Sequence, residues 1–185
     1  MIYYCDEEIK IRDLQEKDVV NLFSWWIDKE INQYDPRAIP QNSKQLIEEC
    51  IRYSNIFDLE KMNSNDEARK YRYFIITDAE QKPIGFVNFF SIDKDRKQGE
   101  IGIIIGDKRY WKKGIGFKAV NVVANYIFEN MKIDRIVIET GETNEPALKL
   151  FRKLNFVVSG ENIEDDGFRF IVMEKTRVSA KREWL

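Results

Sequence analysis

The stretch from Glu100 to Glu139 limits the possible folds more than any other part of this chain. Glu100-Ile101-Gly102-Ile103-Ile104-Ile105 is a continuous apolar run of strand length, which implies burial on both faces. A basic, glycine-containing turn follows at Arg109-Tyr110-Trp111-Lys112-Lys113-Gly114-Ile115-Gly116-Phe117. It leads into a helix on which Ala119, Val122, Val123, Tyr126 and Ile127 recur every three and four residues. Arg135-Ile136-Val137-Ile138-Glu139 is then a second strand. A strand, a basic turn and a helix N-terminus in that order form an anion site. The first helical turn offers free N–H groups and the positive end of its dipole, and Gly114 and Gly116 allow a phosphate to come close.

A bare Gly-x-Gly is also what an ordinary turn contains, so the surrounding residues decide. A Walker loop needs Gly-Lys-Ser/Thr, whereas Gly116 precedes Phe117-Lys118. A dinucleotide fingerprint needs a third glycine where Ala119 stands. Downstream, Asn144 to Phe156 reads as a short helix with Asn144 at its cap, Pro146 in its first turn and Asn155 as a left-handed C-cap.

The front half is more helical. Ile9–Asp13 alternates as a strand; Val19, Leu22, Phe23, Trp26 and Ile27 mark a first helix. Ser43 is an expected N-cap for a second, amphipathic helix carrying Leu46, Ile47, Cys50 and Ile51. The polar run from Asn63 to Lys70 reads as a loop. Tyr71–Ile76 and Ile84–Phe90, flanking the turn signal Asp78–Pro83, form an antiparallel hairpin.

Composition excludes several functions. The chain has 185 residues, enough for one domain, so a single domain over 1–185 is expected. With 30 basic and 32 acidic residues there is no positive field to bind nucleic acid. No signal peptide and no membrane-length apolar run is visible, which points to a cytoplasmic protein with no membrane partner. Histidine is absent, which excludes Ser-His-Asp and Cys-His sites and most metal-hydrolase chemistry. The two cysteines, Cys5 and Cys50, suit neither a disulfide framework nor a zinc site, so no metal is expected.

Residues 100–156 resemble the acetyl-CoA-binding core of GNAT N-acetyltransferases. The turn Trp111-Lys112-Lys113-Gly114-Ile115-Gly116 resembles the family's Arg/Gln-x-x-Gly-x-Gly/Ala pattern with Trp111 in place of Arg or Gln, and Asn144 to Phe156 resembles Asn-x-x-Ala-x-x-Leu-Tyr-x-x-x-Gly-Phe with Phe151 in place of the tyrosine and Asn155 in place of the glycine. Ile11–Leu14 and Trp25–Glu30 look like the subgroup of ribosomal-protein N-terminal acetyltransferases and spermidine acetyltransferases. The likeness is weakest at 55–70.

The resemblance implies an α/β (α+β) fold, with a central mixed twisted sheet of about six to seven strands and about four helices. It also implies a cofactor core over about 84–156 and acceptor elements over about 20–70 and 157–175. The activity implied is transfer of acetyl from acetyl-CoA to a primary amine in a ternary complex. The amine would belong to a polyamine, an aminoglycoside-like molecule or a protein N-terminus. A second copy of the chain is a candidate partner.

On the same footing, the pantetheine arm would pair with Ile104, Ile105 and Gly106. The pyrophosphate would meet the amides from Trp111 to Phe117, and Asn144 would bond the arm or serve as a plain cap. Phe151 would line the thiol end. It stands where the family usually has a tyrosine that protonates the departing thiolate, and phenylalanine cannot donate a proton. A thiol leaves tolerably without that acid. The expected base is Glu100, or else Glu100 is a solvated strand-end charge. The Ile105 N–H would stabilise the oxyanion. Asp28, Glu30, Asp35, Glu164, Asp165 and Asp166 could draw in a cationic amine or could simply be solvated. The competing function is a non-catalytic acyl-CoA-binding module, suggested by Phe151.

Overall fold

A computed structural model describes residues 1–37, 39–62 and 71–177, with the side chains of 56–62 left aside. The expected loop at Asn63 to Lys70 lies outside the described residues. Eight strands form one sheet: β1 Ile2–Cys5, β2 Ile9–Asp13, β3 Arg72–Asp78, β4 Pro83–Asp93, β5 Gln98–Ile105, β6 Arg135–Gly141, β7 Val157–Ile163 and β8 Arg169–Thr176. The helices are α1 Val19–Trp26, α2 Ser43–Met62, α3 Ile115–Asn130 and α4 Glu145–Lys153. Strand order is β1-β2-β3-β4-β5-β6-β8-β7, and among the described strands only the β5–β6 pair is parallel. That pair needs a crossover, and α3 supplies it.

The sheet has one more strand than the upper end of the six to seven expected. The additional strand is β1, which the leading Met1–Glu8 stretch does not advertise. It is held by the Asp6 carboxylate, which accepts from the N–H groups of Glu8 and Ile9 at 2.9 and 2.8 Å and closes the β1–β2 turn.

One face of the sheet carries α3 and α4 over a core that includes Phe74, Val87, Phe89, Ile101, Val123, Ile127, Ile136 and Ile138. The other face carries Leu22, Trp25, Tyr53, Ile75 and Phe86 beneath α1 and α2. Between β2 and α1, Arg12 grips the buried Asp18 at 2.7 and 2.9 Å, so these two enclosed charges are paired with each other.

The second helix departs from its expected form in two ways. Its cap is Asn42, whose Oδ1 accepts from the Gln45 N–H at 3.0 Å, and Ser43 is already helical. The stripe Leu46, Ile47, Cys50 and Ile51 faces outward, with Ile47 and Ile51 more than half exposed. The helix docks instead through Tyr53, whose ring meets Phe23 and Trp26 at 5.5 Å each. One large aromatic covers more of α1 than the aliphatic row could. Strand β5 is also less enclosed than its sequence suggests: Ile101 is buried, but Ile103, Ile104 and Ile105 are only partly so.

Candidate active site

The partial exposure of β5 has a structural cause. Strands β5 and β6 pair only at Gln98↔Arg135, Gly99↔Ile136 and Glu100↔Val137. Beyond that point β5 stays on β4 as far as Ile105, and β6 stays on β8 as far as Gly141. The two strands therefore part, leaving a wedge-shaped gap whose apex is Glu100.

The antiparallel ladder decides which backbone groups enter the gap. Gly85 and Ile105 are register partners, and the Gly106 N–H donates to the Ile84 carbonyl at 2.9 Å. Alternation then turns the N–H and C=O of Ile104 toward β4, and those of Ile103 and Ile105 toward the gap. Of the three positions expected to receive an extended arm, Ile105 faces it, whereas Ile104 and the Gly106 N–H do not. Ile103 joins the site in their place. The Ile105 carbonyl already accepts from the Trp111 indole Nε1 at 2.6 Å. Gly106 serves the packing instead. A Cβ there would lie 2.1 Å from the Trp25 indole, so its glycine lets Trp25 close over the end of β5.

At the mouth of the gap, Gly114 caps α3 with φ of 82° and no side-chain hydrogen bond. A Cβ at Gly114 would meet nothing within 4 Å, so the glycine is needed for its left-handed backbone and not for space. Lys112 is also left-handed, with φ of 60°. The amides of Ile115, Gly116 and Phe117 begin the helix without intrahelical acceptors.

Lys108 and Arg109 are taken up by Asp28, Glu30 and Asp107, at 3.0, 2.6 and 2.5 Å. No described carboxylate pairs with the exposed Lys112 and Lys113. Lys118 points away, bound to Asp6 and Glu8 at 2.7 and 2.6 Å. Of the cations from Lys108 to Lys118, the two without a described carboxylate partner thus lie beside the amides of the helix start, which is the arrangement an anion needs.

Asn144 does cap α4. Its Oδ1 accepts from the Ala147 N–H at 3.2 Å, and its Nδ2 donates to Thr140 Oγ1 at 3.0 Å, tying the helix to the end of β6. Phe151 is buried, its ring 5.2 Å from Phe156 in an edge contact. Asn155 is left-handed with φ of 61°, as its place after α4 predicts.

Glu100 is not a solvated strand-end charge. It is only partly exposed, and burial pushes its carboxyl up to about 7, with the negative charge of Glu139 adding to the rise. Glu139 sits two residues beyond Val137, the register partner of Glu100, and so shares its face of the sheet. The Glu139 carboxylate accepts from Asn162 Nδ2 at 2.8 Å.

The acceptor end differs from expectation. Asp28 and Glu30 are paired with Lys108, and Asp35 pairs with Arg37 at 3.2 Å. Asp28 and Glu30 share one lysine and Asp35 has one arginine, so these three acids are compensated in part. The 27–37 loop is ordered by Asn32, whose Nδ2 donates to the carbonyls of Trp25, Trp26 and Asp28 at 2.7, 3.0 and 2.8 Å. Arg37 lies 3.3 Å from the Trp26 ring centroid. Past Gly141, a cleft is lined by Glu142, Thr143 and Asp166–Arg169. Sequence reasoning did not single out Ile103, Glu139 and Thr140, which lie beside the gap, and it placed Trp25 only within the broad acceptor range. Period-two alternation along Arg135–Glu139 could have flagged Glu139.

Residues 8–157 match the model of the family described as the acetyltransferase (GNAT) domain. This chain is a GNAT acetyltransferase. The enzyme is 27% identical over 154 residues to an uncharacterized N-acetyltransferase, p20, of Bacillus licheniformis, covering 83% of this chain and 82% of that protein. Its fold matches the Vibrio cholerae spermidine N-acetyltransferase crystallised with CoA and spermine, with a TM-score of 0.78 and 18% identity. That match covers 95% of this chain and 99% of the other. A ribosomal-protein-S5-alanine acetyltransferase from Vibrio fischeri matches with a TM-score of 0.74 and 22% identity, over 95% and 96% of the two chains. The acetyltransferase uses acetyl-CoA as its acyl donor and acts on amines. Among the described residues no helix is long and apolar enough to cross a membrane, and no group of three or more acidic or cysteine side chains could hold a metal.

Proposed function

We propose that this acetyltransferase holds acetyl-CoA in the β5–β6 gap and uses Glu100 as the general base that frees the acceptor amine of its proton. The observation that carries this reading is the position of Glu100 at the apex of the gap, half-buried, with a carboxyl raised to about 7. A base is most effective when it titrates near the working pH, because it is then both ionised and basic enough to accept a proton.

In this reading the backbone of Ile103 and Ile105 pairs with the pantetheine arm. The amides from Trp111 to Phe117, with Lys112 and Lys113, hold the pyrophosphate. Asn144 places the start of α4 beside the arm, and Phe151 contributes apolar bulk from beneath. The neutral amine attacks the thioester carbonyl carbon, so an N–C bond forms and the C–S bond breaks. The Ile105 N–H faces the oxygen on which negative charge gathers. The amine proton passes to Glu100 directly or through one water, and the thiolate leaves without a protein acid, since Phe151 has no hydroxyl. The cofactor core spans about 84–156, and acceptor contacts come from the described parts of 20–70 and 157–175.

The acceptor is a cationic primary amine. Asp28, Glu30 and Asp35 are partly compensated by Lys108 and Arg37, and Glu100 at the apex of the gap, with Glu139 on the same face of the sheet, supplies the negative charge that draws it in. Thiol release from acetyl-CoA, measured against polyamines, aminoglycosides and N-terminal peptides, tests the reading. Turnover with one class, lowered about 10- to 1,000-fold in Glu100→Gln near neutrality, is expected. Binding without thiol release across the whole panel would overturn it in favour of an acyl-CoA-binding module.

A further inference from the structure

Two carboxylates share one face of the sheet at the apex of the gap, and their surroundings differ. Glu100 lies between apolar register partners, Phe90 on β4 and Val137 on β6, and Phe90 stacks on Tyr71 with ring centroids 6.5 Å apart. It is half-buried, and among the described residues no donor or cation reaches its carboxyl. Glu139 stands two residues beyond Val137, exposed to solvent, and accepts from Asn162 Nδ2 at 2.8 Å. Asn162 belongs to β7, two strands away from β6, so this hydrogen bond reaches across β8.

The other charges beside the pair have partners of opposite sign. Arg135, two residues before Val137, donates to Glu174 of β8 at 2.6 Å, and Lys97 pairs with Asp134 at 3.6 Å. Strand β4 presents Phe90 and Asn88, neither of them charged. Helix α1 has no charged residue, and on the described part of α2 Lys44 pairs with Glu48 and Arg52 with Glu49. No described cation pairs with Glu139, so it is the unpaired charge on the same face as Glu100.

We infer that Glu139, steadied by Asn162, is a positioning residue that makes Glu100 the member of this pair that takes the proton of the acceptor amine. A charge is most stable where water and a donor solvate it. Of two neighbouring carboxylates, the exposed and hydrogen-bonded one therefore carries the charge, and the half-buried one becomes the stronger base. Two residues of strand rise and one interstrand spacing put their Cα atoms roughly 8 Å apart, within reach of the repulsion at moderate salt. The carboxyl of Glu100 is accordingly raised to about 7, with burial the larger cause and Glu139 the smaller. The role in catalysis rests on Glu100 as the base, whereas the coupling of the two charges does not.

The coupling can be read without turnover. In carbon-13 carboxyl spectra of glutamate-labelled enzyme, the Glu100 resonance is the one lost in Glu100→Gln. Its titration midpoint should fall in Glu139→Gln by less than half of the interval from 4.5 to about 7, because the charge is the lesser cause. It should stay near the parent value in Glu139→Asp, which keeps the charge, and fall by a smaller step in Asn162→Leu. Raising salt from about 0.05 to about 0.5 M shortens the screening length from about 14 to about 4 Å. That change should lower the parent's midpoint and leave the midpoint of Glu139→Gln in place.

Turnover should follow the same shift. At saturating substrates, the ratio of Glu139→Gln to parent rates should be about two- to sixfold higher at about pH 6, where more of the variant's Glu100 is ionised, than at about pH 8.5. A mere packing loss would lower that ratio equally at both. A Glu100 midpoint that is the same at low salt in the parent and in Glu139→Gln would overturn the inference. Equal turnover of the parent and Glu100→Gln, with midpoints that still differ, would mark the failure of the base assignment and not of the coupling.

Discussion

Replacing Glu100 by glutamine should change stability in a pH-dependent way that no merely structural loss would mimic. The carboxyl is raised from the ordinary glutamate value of 4.5 to about 7, by burial first and by the charge of Glu139 second. Between those values the folded protein holds a proton that the unfolded chain has released, so parent stability falls as pH rises from 4.5 to about 7 and stays lower above it. At about 1.4 kcal/mol per pH unit the whole interval corresponds to roughly 3 kcal/mol. Glu100 is only partly enclosed, and solvent screening reduces the expected effect to about 1–2 kcal/mol. The neutral amide carries no such penalty at any pH. Glu100→Gln should therefore match the parent near pH 4 and exceed it by about 1–2 kcal/mol at pH 8, as measured by urea denaturation at each pH. A difference that is constant from pH 4 to pH 8, or a loss of stability at pH 8, would show that Glu100 is not held above its ordinary range.

Three further outcomes follow from the gap and its surroundings. Acetyl-CoA should raise the parent's melting temperature, and Gly114→Asp should abolish that shift by putting negative charge at a left-handed helix start; an unchanged shift would mean the phosphates bind elsewhere. Gly106→Ala drives a methyl into the Trp25 ring, so calorimetry should register a loss of about 1–3 kcal/mol together with a raised KM, and neutrality in both would remove Trp25 from the end of the gap. Phe151→Tyr should lower the melting temperature slightly and change turnover by less than about tenfold, whereas a gain of about a hundredfold would show that the missing acid limits the reaction.

Much of the cofactor half was legible because its signals are local. A glycine before a helix start, an asparagine three residues before the amide it caps, and an apolar strand leading into a basic turn are all short-range patterns, and Gly114, Asn144 and Asn155 adopt the conformations those patterns imply. What the sequence could not reveal depends on register and contact. Ile103 enters the gap and Ile104 leaves it because of how β5 pairs with β4. Asp28 and Glu30 lose part of their electrostatic pull because Lys108, some eighty positions away, folds onto both of them. The outward stripe of α2 misled for a similar reason: period alone cannot tell that Tyr53, and not Leu46 or Ile47, meets α1.

The central claim, that a carboxylate at the parting of β5 and β6 drives acetyl transfer, is tested most directly by the ratio of parent to Glu100→Gln thiol-release rates at saturating acetyl-CoA, followed from about pH 6 to 9.5. The parent rate should fall about tenfold per pH unit below about 7, as Glu100 takes up its proton. Near neutrality the ratio should be about 10 to 1,000, shrinking toward pH 9.5 as solvent deprotonates the amine unaided. Equal rates for the two proteins across that range would contradict the claim and leave a reaction in which the protein only positions amine and thioester.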